Sequence, residues 1–234
     1  MGARLLRDQL GLLGLHVGRR HVRALMRRMD IEAIEPQTGT SKAQPGNKIY
    51  PYLLRHLPII RANQVWALDT TRIAMAKGFV YLTALVDVAS RKVLTHKVAV
   101  TLQACHAKEI LQEAFAKFGT PEIVNTDQGS QLTATEFTTA VLDQGCKLSM
   151  DGNMDGKGAW RDNVFIERVW RSMKYERVCL KAYDTVSAAR VDIADYFGGY
   201  NSQRPHSKLD KIAPDKAYLD KLPKQVDAEL KIAA

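Results

Sequence analysis

The chain has 234 residues, 46% of them apolar and 25% charged, which is enough to bury a core and too apolar for a disordered chain. Thirty-four Lys and Arg against 25 Asp and Glu give a net charge of +9, which points to a polyanionic partner, with nucleic acid ahead of an acidic membrane surface. Apolar stretches such as Phe79 to Val88 are short and interrupted by Thr83 and Asp87, so no transmembrane helix is expected; a start broken by Arg7 and Asp8 does not read as a secretion signal, so the expected compartment is the cytoplasm.

Charge is concentrated at the start, where residues 1–61 hold 11 Lys/Arg and 4 Asp/Glu. There Leu5, Leu6, Leu10 and Leu13 recur at helical spacing, and after Gly14–Gly18 so do Val22, Leu25, Met26 and Met29. This predicts two short helices, within a segment 1–35. The second helix carries Arg19, Arg20, Arg23, Arg27 and Arg28, the arrangement a helix-turn-helix needs to grip phosphates; a solvated basic face accounts for them equally well. Residues 36–62 hold Pro36, Gly39, Pro45, Gly46, Pro51 and Pro58 without periodicity and read as a linker.

A core is expected over 63–202. Val65 to Met75, Phe79 to Ser90 and Lys92 to Val100 are rich in β-branched and aromatic residues and are separated by turn signals, which predicts an antiparallel meander. A helix is expected over Leu102 to Phe118, a strand at Glu122 to Asp127, a helix at Ala134 to Gln144 and a strand at Lys147 to Asp151. Helices over Arg161 to Val178 and Ser187 to Tyr200 complete an α/β sheet flanked by helices, and a polar tail, 203–234, ends the chain. Cys105, Cys146 and Cys179 are far apart and form no CxxC pair, which excludes a disulfide framework and a structural zinc site and predicts reduced, buried thiols.

Three carboxylates occupy costly positions: Asp69 inside an apolar strand, Asp127 at the end of another, and Glu167 among Phe165, Ile166, Val169, Trp170 and Met173. Taken singly, each has a structural reading as an edge residue, a turn former or a helix-face salt bridge. At about 100° per residue, Asn163, Glu167, Arg171 and Lys174 share one helix face while Phe165, Val169 and Met173 share the other. Carboxylates holding Mg²⁺, flanked by bases that hold a phosphodiester, would have this pattern.

The residues resemble a known family. VWALDTTRI around Asp69, NTDQGSQ around Asp127, the segment through KGAWRDNVFIERVWRSMKYE around Glu167, and YNSQRPHSKLDKIAPDKAY near the end are similar to the catalytic subunit of bacterial insertion-sequence transposases of the IS-three type. The core of that subunit resembles retroviral integrase in the Asp-Asp-Glu superfamily. The resemblance implies a ribonuclease-H-like fold, a mixed five-stranded sheet with flanking helices, preceded by part of a helix-turn-helix. It implies that Asp69, Asp127 and Glu167 are the catalytic, metal-binding triad, with Mg²⁺ as cofactor and Mn²⁺ as its alternative, and that Arg171 and Lys174 contact the DNA end. The implied partners are double-stranded DNA of element ends and target, further copies of the chain on that DNA, and an upstream-frame protein supplying a helix-turn-helix and zipper; no membrane is implied. The implied chemistry is in-line attack of water, then of the released 3′-hydroxyl, on a phosphodiester between two metal ions. His96, His106 and His206 are not required as bases; the first two read as surface or packing residues, and Asp87 as structural.

Two departures from the family pattern stand out. SMDG at Ser149–Gly152 is followed by the near-copy NMDG at Asn153–Gly156, which lengthens the spacing between Asp127 and Glu167 to 39 intervening residues. Relatives carry further helical sequence ahead of GARLLRDQL, so Met1 falls partway into the helix-turn-helix. Together they define an alternative expectation, a transposase remnant that binds DNA without cutting it.

Overall fold

The computed structural model describes residues 3–29, 50–150 and 163–223. The chain divides into two compact units, 1–42 and 43–234. In the first, α1 (Ala3–Leu12) ends where Gly14, at φ +80°, lets Leu15 N–H reach Leu10 O at 2.8 Å, a left-handed cap that a Cβ would strain. The helix α2 (Arg19–Arg28) packs on α1, buries Val22 and Met26, and leaves Arg19, Arg20, Arg23, Arg27 and Arg28 exposed. Met29, expected on its apolar face, is exposed because the helix has already ended.

The second unit runs β1 (Val65–Ala74), β2 (Phe79–Asp87), β3 (Val93–Ala99), α3 (Ala104–Phe118), β4 (Ile123–Thr126), α4 (Thr135–Leu142), β5 (Lys147–Met150), α5 (Val164–Glu176), α6 (Val186–Ser202) and α7 (Pro214–Lys221). The sheet order is β3-β2-β1-β4-β5. The expected meander is present: β1–β2 and β2–β3 are antiparallel, joined by short turns, whereas β4 and β5 run parallel to β1 and need the helical crossovers α3 and α4. Strand alternation sorts the side chains into two cores. Val65, Ala67 and Ile73 of β1 pack with Ile166, Val169, Met173, Ile193 and Phe197 from α5 and α6. Trp66 and Leu68 face the other way, against Ile110, Leu111 and Phe137 from α3 and α4.

Asp87 is structural: fully buried, it accepts from Asn63 N–H at 2.8 Å and from Ser90 N–H and Oγ–H at 2.8 and 2.6 Å, which fixes the turn between β2 and β3. His96 packs edge-on to Phe197. The expected polar tail instead contains α7, whose Ala217 and Tyr218 are buried; eight residues with two buried positions, Pro214 aside, are too few to register as a period. The helix closes on the entry to β1: Tyr218 Oη donates to Asn63 Oδ1 at 3.0 Å, Ala62 N–H to Lys221 O at 2.9 Å, and Lys221 Nζ to Ala89 O at 2.8 Å. Of the cysteines only Cys146 is buried; Cys105 is half-buried in the first turn of α3, and Cys179 is exposed in the turn after α5, so the expectation of three buried thiols is corrected. Among the described residues no helix is long and apolar enough to cross a membrane.

Candidate active site

Strand parity places the first two carboxylates. Asp69 has the parity of Val65 and Ala67, so it points to the face covered by α5. Asp127 follows β4 with the parity of Ile123, which packs on that same face. The parallel register pairs Leu68 with Thr126, so Asp69 and Asp127 are the next residues on adjacent strands, about 5 Å apart along the backbone hydrogen-bonding direction. Glu167 lies in the first turn of α5, where the helix dipole favours a carboxylate. The sheet and α5 therefore bring together the three acidic residues singled out in the sequence.

Their electrostatics are those of crowded acids. Burial and then the neighbouring Asp127 raise the Asp69 carboxyl to about 7, with a smaller contribution from Glu167. Asp127 and Glu167 are also raised, in each case by burial. Asp127 acts on Asp69 more strongly than Glu167 does, and Glu167 is the most exposed of the three. The described residues form no ion pair with any of the three; what holds them is neutral. Trp170 Nε1 donates to Asp69 Oδ2 at 2.8 Å, Thr70 N–H to Asp69 Oδ1 at 2.7 Å, and Gly129 N–H to Asp127 Oδ1 at 2.9 Å. One turn before Glu167, Asn163 Oδ1 is buried with no hydrogen-bond partner among the described residues.

Trp170 and Gly129 escaped the sequence reading, because Trp170 meets Asp69 across 101 positions and neither residue is titratable. A Cβ at Gly129 would lie 2.9 Å from Asp127 Oδ1, so only glycine lets the backbone donate this closely. Gly129→Ala is expected to displace the carboxylate and lower any metal-dependent turnover by roughly tenfold to a hundredfold, since shifts of about 1 Å at a reacting centre have that effect. Turnover at the wild-type rate in a folded G129A chain would show that the contact is not functional.

Of the basic residues, Arg171 is exposed one turn beyond Glu167. Lys174 is half-buried and turns back to the sheet, donating to Thr71 Oγ1 at 2.6 Å; burial lowers its ammonium while Asp69 opposes that shift. The arginines of α2 belong to the other unit. The duplication at Asn153–Gly156 lies outside the described residues. Cys105, His106 and Glu109 bring three donor atoms within 4.8 Å on α3, a pairing the sequence reading did not expect, but Glu109 is engaged by Lys97 and the set falls short of the four ligands of a structural zinc site.

Two overlapping models described as the integrase core domain match residues 60–153 and 149–214. The transposase for insertion sequence element IS904 of Lactococcus lactis is 31% identical over 155 residues, covering 65% of this chain and 60% of that protein. Transposase InsF for insertion sequence IS3A of Escherichia coli is 27% identical over 157 residues, covering 66% of this chain and 53% of that protein. The chain thus spans little more than half the length of these relatives. In fold it is similar to a chain of the simian T-cell lymphotropic virus intasome bound to a PP2A regulatory subunit (TM-score 0.57, 15% identity, 94% of this chain and 72% of that one). It is also similar to the HTLV-2 integrase catalytic core solved with magnesium (TM-score 0.50, 18% identity, 69% of this chain and 99% of that one). These likenesses agree with the ribonuclease-H-like core expected from the sequence.

Proposed function

We propose that this chain, whose residues 60–153 and 149–214 match integrase core domain models, is the catalytic subunit of a bacterial insertion-sequence transposase, cutting and joining DNA strands at Asp69, Asp127 and Glu167. The observation that carries this reading is the convergence of three carboxylates on one face of the sheet, all raised, none in an ion pair among the described residues. Such a set is costly alone and is relieved by a hard cation bound through oxygen. The donor chemistry fits Mg²⁺, with Mn²⁺ as the alternative, and the magnesium bound by the HTLV-2 core supports the same choice.

A divalent cation bound there would supply Lewis-acid activation and neutralise the charge developing in phosphoryl transfer. The remaining work falls to the chain. The Trp170 and Thr70 N–H groups orient the two oxygens of Asp69, and the Gly129 N–H orients Asp127, so both strand carboxylates are fixed before substrate arrives. Glu167, exposed on the opening turn of α5, closes the set from the other side. Arg171 lies one turn further along the exposed helix surface, where it would hold a phosphate of the element end, and Lys174 adds positive charge beside Asp69. No histidine is needed as a base. The arginines of α2 would grip DNA phosphates, within a segment 1–35 that we assign to DNA binding, joined by a linker, 36–62, to a catalytic core, 63–202. Copies of the chain would assemble on paired element ends, as the intasome neighbour suggests.

The test is Mg²⁺-dependent cleavage and strand transfer on duplex DNA carrying an element end, beside the same length of RNA:DNA hybrid. Duplex cleavage by wild type and its loss in Glu167→Gln are expected. Preferential cutting of the hybrid would instead make the chain a hybrid nuclease on the same fold. DNA binding without cleavage by wild type would favour the remnant reading.

A further inference from the structure

Along α5 from Glu167 lies a cavity of about 460 Å³ that shares only Arg171 with the reading above. Its walls are the turn after β2, the second face of α5 and the segment that follows α6; its cationic lining is Arg91, Arg168, Arg171, Arg204 and Lys208, and His206 adds a polar ring. Among the described residues no carboxylate lines it. Two acids close to its lining residues in the fold are already engaged: Glu176 pairs with Arg204, and the Asp87 carboxylate accepts from Asn63 and Ser90. Among the described residues, Arg91, Arg168 and Lys208 form no ion pair, and Arg168 disfavours the charge on Arg91.

Arg91 shows that this is built. It sits at φ +66°, a left-handed turn position that glycine or asparagine takes more easily than arginine. The turn is pinned by Arg91 N–H to Asp87 O at 2.8 Å. The guanidinium then stacks over Phe165, 4.1 Å from the ring centroid, and its Nη1 is buried with no hydrogen-bond partner among the described residues. A strained backbone and an unsatisfied buried donor on one residue call for an acceptor that the protein itself does not provide.

The opposite wall is the RPHS segment, which resembles a family motif but whose role the catalytic reading leaves open. It is rigid: His206 N–H donates to Ile212 O, and Leu209 and Lys211 N–H donate to His206 O, at 2.9 to 3.2 Å. Lys208 N–H donates to His206 Nδ1 at 3.3 Å, so the neutral ring presents Nε2–H as a donor. Arg91, Arg168 and Arg204 all disfavour a charge on that ring, as does burial.

We propose that this cavity holds a backbone phosphate of the DNA substrate, one flanking the phosphodiester at the triad, with Arg91, Arg168, His206 and Lys208 as its donors. The proposal rests on the transposase reading above. Glu167 and Arg168 are consecutive, about 100° apart around α5, and Arg171 lies between the two faces, so one strand crossing the helix would meet both sites. The cavity is far larger than one free phosphate ion, and Phe165 and Tyr200 add aromatic walls suited to a sugar or base.

The experiment measures binding of the full-length chain to a fluorescent DNA duplex across a salt series without divalent metal, for wild type, Arg168→Gln, Lys208→Gln and the control Lys216→Gln on α7. Arg168 and Lys208 are exposed, so neither substitution removes packing as Arg91→Gln would. Each is expected to weaken binding by roughly tenfold at low salt and to reduce the slope of log affinity against log salt by about one, while the control keeps the wild-type slope. Wild-type slopes in both pocket variants overturn the proposal. So does thermal stabilisation of wild type by inorganic phosphate with no change in either slope, which would mark a free-anion site. Because no metal is present, a chain that binds but never cuts still decides the pocket, and a chain that cuts with unchanged slopes loses only the pocket.

Discussion

Replacing Asp127 by asparagine is expected to lower Mg²⁺-dependent strand transfer on the order of a thousandfold and, at the same time, to raise the melting temperature of the metal-free chain. The side chains are nearly isosteric, and the asparagine Oδ1 can still accept the Gly129 N–H that Asp127 accepts at 2.9 Å, so the fold has no reason to change. What changes is charge. With one carboxylate fewer, Asp69 and Glu167 would hold the proposed cation less well and its stabilisation of developing charge would weaken by several kcal/mol, which gives about three orders of magnitude in rate. Without metal the same change relieves Asp69, whose carboxyl Asp127 pushes upward. Each kcal/mol so recovered is worth roughly 2–4 °C in a chain of this length. Cleavage assays and thermal melts on the same preparations check both halves. Strand transfer that survives the substitution would remove Asp127 from the site, and a fall in melting temperature would make it a structural residue.

The second large effect is a coupling of stability to pH and metal. Asp69 is raised from an unfolded value near 3.8 to about 7 in the folded chain. Between those values the folded state binds more protons than the unfolded one, so stability falls as pH rises through that window and levels off above about 7. Asp127 and Glu167 change in the same direction and add to the fall. The loss should be on the order of a few kcal/mol, since each tenfold gain in proton affinity on folding corresponds to about 1.4 kcal/mol. Mg²⁺ bound at the proposed site would take the place of the proton, so its stabilisation should be weak at about pH 5 and strong at about pH 8. Melts across that range, with and without Mg²⁺, are expected to converge at low pH and diverge at high pH, and Asp69→Asn should flatten the metal-free curve and remove the divergence. A metal-free stability that climbs with pH through the window, or an Mg²⁺ effect independent of pH, would contradict this account of the site.

Much of this site was legible in the sequence because the determinants are local. Alternation in Val65 to Ala74 announces a strand, and an acidic residue at the parity of Val65 and Ala67 must face whatever covers that side. The α5 period likewise separates Glu167 and Arg171 from the buried Val169 and Met173. The illegible parts are contacts between distant positions. Nothing near Trp170 announces that its indole will meet Asp69, and the turn signal at Ser90-Arg91 announces neither the left-handed backbone of Arg91 nor its reach to Phe165. Lys174 follows the helical period onto the Glu167 face, yet its long side chain reaches back to Thr71, a choice set by β1 and invisible to helix geometry. The α7 helix was missed for a related reason, since its burial depends on a surface made by the other end of the core.

That closure has a consequence for how the chain is made. The bond from Tyr218 to Asn63 spans 155 positions, and Asn63 also receives Trp66 Nε1 on the same Oδ1 while its own amide donates to Phe118 O. On the ribosome, β1, β2 and β3 can pair as soon as they emerge, because their partners are neighbours in the chain. The seam beneath them stays open until residues more than 150 positions later are synthesised, a delay of roughly ten to thirty seconds at typical elongation speeds. Nascent chains halted before Pro214 would therefore carry all three acidic residues and an unsealed core, leaving them open to chaperones and proteases until translation reaches the last helix.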